Sequence, residues 1–373
     1  MTNGTWPSSH SCPPLRACVL AQLPLPVVTQ LPLDSSLEDM VAAANLAPPG
    51  HVLDLGGQVL RLTTAEPLTL CLFNPITIRN GSLHLAGKEQ RLVVVKQALR
   101  FEEVTVVGPG AGAGRRNTDR KQPEPPPKGL VQVTGGCSSL HLAGCKLCGG
   151  AHDAVLVADG GASLEMSGGC VVSGHPARFG CIVSGGGSSL VAEGCTIRGN
   201  TRSGVYVAAS GRAALTGCQL EGSRRANGLT VKGSGSRVVA QRCTISGNSG
   251  HGAAVRSGGN VELTGCQLSN NKHDGLSVCG VGSRAVAQEC GMAGNRAWGA
   301  VVLDHGWAQL TDCTAGANRK GSYRMPPGSC AELTGCVADE RSYRLSSSQL
   351  VLALCLCACL FLSFSVLVMS GLS

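Results

Sequence analysis

Nine cysteines constrain this chain more than any other feature of it. Cys145, Cys170, Cys195, Cys218, Cys243, Cys266, Cys290, Cys313 and Cys336 sit in related phrases, at intervals of 25, 25, 23, 25, 23, 24, 23 and 23 residues. A repeat this regular marks a solenoid, in which each copy is one supersecondary unit that buries its apolar face by stacking on its neighbours. The inside of a copy says which unit it is. In VELTGCQLSNNKHDGLSV, residues 261–278, Val261 and Leu263 alternate with Glu262, Gly265 shifts the parity, and Cys266 and Leu268 form a second apolar pair. After the turn-rich Ser269, Asn270 and Asn271, Gly275 opens a third pair, Leu276 and Val278. A period of two is a strand and a glycine between such periods is a bend. Three short strands per 23–25 residues predict an all-β chain wound as a parallel β-helix.

Columns run through the copies. Two residues after the cysteine come Leu147, Val172, Ile197, Leu220, Ile245, Leu268 and Met292. Five residues after it come Asn200, Asn248, Asn271, Asn295 and Asn318, where stacked amides can pair from coil to coil and asparagine tolerates a left-handed bend. The cysteine itself follows a tight bend and is expected to face inward, because free cysteine behaves as a small buried hydrophobe. Only 3% of the residues are aromatic, so small and branched side chains must fill the bore. Stacked thiols would lie about 4.8 Å apart, which does not forbid disulfides. The odd count and a packed interior favour inert thiols.

Outside the repeats the composition changes. Residues 1–33 read as a disordered or irregular segment; they have no basic region, and Pro24 and Pro26 interrupt the apolar run, so no cleavable signal is expected. Residues 34–47 read as a short capping helix: Ser35 and Glu38 match a capping box, Leu37, Met40, Val41 and Ala44 share one face, and Pro48, Pro49 and Gly50 stop it. Such a helix would cover the open strand edge of the first coil. Early coils are expected over 48–107, a flexible glycine, proline and basic insert over 108–128, and the regular β-helix repeats over 129–340. After a linker at 341–349, residues 350–369, LVLALCLCACLFLSFSVLVM, are 20 residues without a charge, the length of a transmembrane helix. The expected localisation is therefore a membrane, by a single-pass C-terminal anchor with a cytosolic body; a GPI-attachment tail is the competing reading of the same stretch.

At this point the residues carry a family likeness. The turn GCTIRGN (194–200) followed by the strand SGVYV (203–207), and the early ITIRNGSL (76–83), resemble the right-handed β-helix of the pectin-lyase-like superfamily. The resemblance spans roughly residues 36–340 and implies a right-handed parallel β-helix. For activity it implies less, because that superfamily includes pectate lyases, polygalacturonases, phage tailspikes and non-catalytic interaction modules.

Polysaccharide chemistry in such a fold needs carboxylates clustered on one outer face. Here Asp153, Asp159, Glu193, Glu221, Glu262, Asp274, Glu289, Asp304 and Asp312 are scattered. Gly250-His251-Gly252 is similar to a polygalacturonase motif, so His251 and Asp274 are the catalytic candidates, yet the tripeptide fills an ordinary slot before a strand. Arg212, Arg237 and Arg284 share the position six before the cysteine and form a candidate basic binding stripe, interrupted by Asn260. No metal site and no cofactor is expected; Cys145 and Cys148 have CxxC spacing, but residues three apart on a strand point to opposite faces. The net charge of +8 is spread thinly and indicates no nucleic-acid partner. The reading that follows is a non-catalytic scaffold with a protein partner, tethered to a membrane. The alternative is a diverged polysaccharide lyase or glycoside hydrolase acting on pectin-like polymers, with carbohydrate as the candidate ligand.

Overall fold

A computed structural model describes residues 27–62, 66–87, 90–108, 128–149, 153–174, 179–338 and 343–345. Its strands stack in parallel into three faces. Face one holds five-residue strands such as Ser189–Glu193, Arg212–Thr216, Arg237–Gln241 and Asn260–Thr264. Face two holds three-residue strands such as Thr196–Arg198, Gln219–Glu221 and Thr244–Ser246. Face three is a 12-stranded sheet that includes Val205–Ala208, Leu229–Lys232, Ala253–Arg256 and Leu276–Cys279. The register advances one coil at a time: Val238 pairs with Val261, Leu220 with Ile245, and Val231 with Val255. The molecule is thus a parallel β-solenoid of about 12 turns.

The bend between faces one and two has one requirement. The residue just before each cysteine adopts a left-handed φ: 60° at Gly194, Gly217 and Gly265, but also 51° at Arg242, 53° at Glu289 and 51° at Asp312. Glycine takes this backbone without penalty and other residues at a modest cost. The bend then turns the next side chain inward. Cys145, Cys170, Cys195, Cys218, Cys243, Cys266, Cys290 and Cys313 are all buried, while Cys336, in the last coil, is half-buried, and none is in a disulfide. Each thiol lies within reach of at least one backbone carbonyl that can accept its single hydrogen; Cys266 Sγ, for example, is 3.4 Å from Ala240 O and 3.5 Å from Thr264 O. Below the thiols the bore is filled by Leu, Val, Ile and Ala from all three faces.

The N-terminal end is closed. The helix spans Leu37–Leu46 and buries Leu37, Met40, Val41 and Ala44 against the first coil. Its capping box is Ser36 with Asp39, one residue beyond the expected Ser35 and Glu38: Asp39 N donates to Ser36 Oγ at 3.0 Å, and Ser36 N donates to Asp39 Oδ2 at 2.8 Å. Ser35 is drawn out of the capping position because its hydroxyl donates to Pro32 O at 2.8 Å. The segment expected to be irregular contains a strand, Val28–Gln30, that pairs with His51–Asp54 and shields the first coil edge. At the other end Tyr323 is fully buried and its hydroxyl donates to Cys313 O at 3.2 Å. A strand at Tyr343–Leu345, within the expected linker, pairs with Tyr323–Met325. Among the described residues no helix is long and apolar enough to cross a membrane. The apolar stretch 350–369 and nearly all of the insert at 108–128 lie outside the described residues.

Candidate functional site

Two corners of the coil are held by polar ladders. At the corner between faces two and three, Asn248 Nδ2 donates to Asn271 Oδ1 at 3.0 Å, and Asn295 Nδ2 donates to Asn318 Oδ1 at 3.0 Å. Each amide also donates to a carbonyl of the preceding coil: Asn248 to Leu220 O at 3.1 Å, Asn271 to Ile245 O at 3.1 Å. Asn200 occupies the same slot and is fully buried, and Ser223 replaces asparagine in the coil between it and Asn248. At the corner between faces three and one, buried serines play a similar part. Ser236 Oγ donates to Lys232 O at 2.8 Å and accepts from Ser210 N at 3.1 Å; Ser283 Oγ donates to Cys279 O at 2.8 Å and accepts from Gly258 N at 3.1 Å. The serine ladder is legible in hindsight as the serine that ends each Gly-rich turn, in GGCS, GGGS, GSGS and GVGS.

His251 and Asp274 fall in one further column, at the start of face three. Register places Asp153, Phe179, Ser203, Asn227, His251, Asp274 and Trp298 one above another. The aspartates and the asparagine of this column all cap the backbone of the next coil. Asp153 Oδ1 accepts from Phe179 N at 2.9 Å, Asn227 Oδ1 from His251 N at 2.8 Å, and Asp274 Oδ1 from Trp298 N at 2.9 Å. The two catalytic candidates do meet, since His251 Nδ1 lies 3.0 Å from Asp274 Oδ2. A carboxylate only accepts, so that bond requires the hydrogen on Nδ1. Asp274 N also lies 3.4 Å from this nitrogen, which cannot accept while it donates. The shorter contact decides in favour of the carboxylate. Asp153, five coils away in the same column, is not part of the pair.

A second polar cluster was invisible in the sequence. Arg100, His141 and Glu165 stand in register on the outer side of face one, along a groove of about 370 Å³ whose floor includes Gly50, Ala98, Ser139 and Ser163. Arg100 Nε donates to Glu102 Oε1 at 2.6 Å, and its Nη1 lies 2.7 Å from His141 Nδ1. A guanidinium cannot accept, so Nδ1 must, and the hydrogen on Nε2 is left to donate to Ser167 Oγ at 3.1 Å. This polarity is the reverse of a nucleophile–base pair, in which the imidazole takes the hydroxyl proton. The insert at 108–128 separates Arg100 from His141 by 41 residues, so counting coils of 24 could not have aligned them.

The basic stripe is in register but divided. Arg237 Nη2 pairs with Glu262 Oε1 at 2.7 Å, and the Arg284 guanidinium stacks over the Trp307 ring at 4.0 Å; Arg212 is exposed. Among the described residues no group of three or more His, Cys, Asp or Glu side chains is arranged around a metal position.

Residues 180–336 match the family described as the right handed beta helix region. No curated protein matches the chain in sequence. Among solved structures, a variant of the periplasmic alginate epimerase AlgG is similar at 12% identity with a TM-score of 0.51, over 80% of this chain and 88% of that one. An alginate lyase from Paenibacillus sp. str. FPU-7 is similar at 13% identity and a TM-score of 0.47, over 82% of this chain and 99% of that one. Endopolygalacturonase I from Stereum purpureum is similar at 13% identity and a TM-score of 0.41, over 83% and 100%. With its coil geometry, its ladders and these matches, the chain winds as a parallel β-helix, of which residues 180–336 match the right handed beta helix region, and it shares its fold with the alginate epimerase AlgG.

Proposed function

We propose that this protein is a non-catalytic β-helix scaffold that offers a long rigid face to a protein partner and is held to a membrane by residues 350–369. The observation that supports it best is the commitment of the chemically capable side chains to the architecture. Asp274, with His251, occupies the column in which Asp153 and Asn227 cap the next coil, and His141 is polarised by Arg100 against acting as a base toward Ser167. A solenoid distributes its stability over nearest-neighbour contacts, which suits a display surface. The membrane attachment rests on the uncharged 20-residue stretch alone.

A second reading is favoured by one observation. The groove beside Arg100 and His141 lies on an outer face of a fold that an alginate epimerase also adopts, and the Arg100 guanidinium in its lining is a group that pairs with carboxylates such as those of an acidic polysaccharide. The experiment that separates the readings incubates the full chain with alginate, polygalacturonate and pectin, with and without calcium. The scaffold reading expects no change in chain length, unsaturation or epimer ratio. Turnover that disappears in Arg100→Ala or His251→Ala would replace it with the enzyme.

A further inference from the structure

His251 and His273 stand on consecutive coils with their imidazole rings 5.3 Å apart, centre to centre, and tilted by 51°. Asp274 already holds Nδ1 of His251 at 3.0 Å, which leaves Nε2 as the ring's lone pair. The carboxylate is in turn fixed by Trp298 N at 2.9 Å. We infer that this corner is a dihistidine site for a borderline divalent ion of the Zn²⁺, Ni²⁺ or Cu²⁺ class, with His251 and His273 as its two protein ligands and Asp274 as the carboxylate that positions His251.

Three physical points carry the inference. With metal–nitrogen bonds of about 2.0 Å in a roughly tetrahedral arrangement, two coordinating imidazoles have ring centres about 5 Å apart, which matches the observed spacing. A carboxylate on the distal nitrogen is the outer-shell partner that sets the tautomer and raises the basicity of a ligating histidine. The backbone beneath both rings is pinned: Gly250 N donates to Ala226 O at 2.8 Å, Lys272 N to Asn248 O at 2.8 Å, and His273 N to Gly250 O at 3.1 Å. The main chain that carries both rings is therefore set by the coil register before any ion binds.

Imidazole ligands select borderline metals over Mg²⁺ and Ca²⁺, which prefer oxygen. Two protein ligands leave positions for water or for a donor from outside the chain, so the ion would be exchangeable, and His273 is exposed enough to admit it. Spacing alone does not reveal the site, because the two histidines are 22 residues apart and only the coil register makes them neighbours.

The test uses the full chain, prepared without a polyhistidine tag and with its accessible thiols alkylated, so that exposed Cys137 and Cys330 do not compete. Zn²⁺ alone is titrated by calorimetry, and Cu²⁺ is examined by electron paramagnetic resonance for nitrogen donors. One ion per chain with two nitrogen donors is expected. His273→Gln, at an exposed position that leaves the fold intact, is expected to lower affinity at least about tenfold, and Asp274→Asn about 10- to 100-fold, the usual range for an outer-shell carboxylate. Unchanged affinity in the His251→Ala/His273→Gln double variant, or no Zn²⁺ uptake by the wild-type chain, would overturn the site.

Discussion

Asn271 Nδ2 donates to Asn295 Oδ1 at 3.1 Å, one coil along the axis, while Asn271 Oδ1 accepts from both the backbone and the side chain of Asn248 at 3.1 and 3.0 Å. One buried amide therefore satisfies the groups of the coil before it and is anchored by the coil after it. Asn271→Ala would leave two donors of Asn248 and the carbonyl of Ile245 without partners. A buried unsatisfied polar group costs about 1–3 kcal/mol, and three coupled losses set the expected destabilisation at about 2–4 kcal/mol. Asn271→Ser should cost less, since Ser223 fills this slot naturally. Denaturant unfolding, with hydrogen exchange across residues 243–300, measures both. Equal losses in the two variants would refute the ladder argument.

The glycines that open face three are required by these same asparagines. A Cβ on Gly252 would sit 2.6 Å from Gly275 O and 2.9 Å from Asn271 Nδ2, although its own φ is not left-handed. Gly217 is the opposite case, with φ of 60° and nothing within 4 Å of an added Cβ. Gly252→Ala should therefore cost about 2–3 kcal/mol by overpacking. Gly217→Asn should cost under about 1 kcal/mol, because asparagine accepts the left-handed region and Arg242, Glu289 and Asp312 already hold that slot. Thermal unfolding of the two variants side by side tests the ordering.

What the sequence made legible was whatever repeats locally. Alternation such as that of Val261 and Leu263 depends on neighbouring residues alone, so strands, bends and the inward cysteine follow from one copy. The apolar face of the helix at Leu37, Met40, Val41 and Ala44 is legible for the same reason, but its cap is displaced by one residue because Ser35 bonds to Pro32, a competition between two serines that spacing cannot decide. Contacts between coils are harder. His251 and Asp274 are 23 residues apart and meet only because the register of face three is fixed. Arg100 and His141 are hidden further by the insert between them. The serine ladder is hidden for another reason: Ser236 and Ser283 sit in glycine-rich turns, where serine is common without any buried role.

Cys181 gives the solenoid a pH dependence in alkali. Burial, with smaller contributions from Cys218 and Cys170, pushes its thiol up to about 12. A thiol is neutral when protonated, so between about 8.5, where an unfolded cysteine ionises, and about 12 the unfolded chain binds fewer protons than the folded one. Stability is then fully present below about pH 8.5 and falls as pH rises, by up to about 1.4 kcal/mol per pH unit for this one group. Guanidinium midpoints at pH 8, 10 and 11 should decline, and Cys181→Val should flatten the decline. A Cys181→Val slope equal to wild type would show that other groups account for it.

Asp274 separates architecture from chemistry. Its Oδ1 accepts from Trp298 N at 2.9 Å and its Oδ2 bonds His251 Nδ1 at 3.0 Å, so one oxygen serves the coil and the other the imidazole. Asp274→Asn keeps an acceptor for Trp298 N, and its amide group replaces the second oxygen with a donor. Asp274→Ala removes both and leaves a buried backbone N–H unpaired, at a cost of about 1–3 kcal/mol. Asn227 already caps the next coil with an amide, accepting from His251 N at 2.8 Å, so Asp274→Asn should remain within about 1 kcal/mol of wild type. If the aspartate were kept mainly for its charge, the two variants would lose stability alike; the expected gap between them, read as a difference in unfolding midpoint, is what a capping role requires.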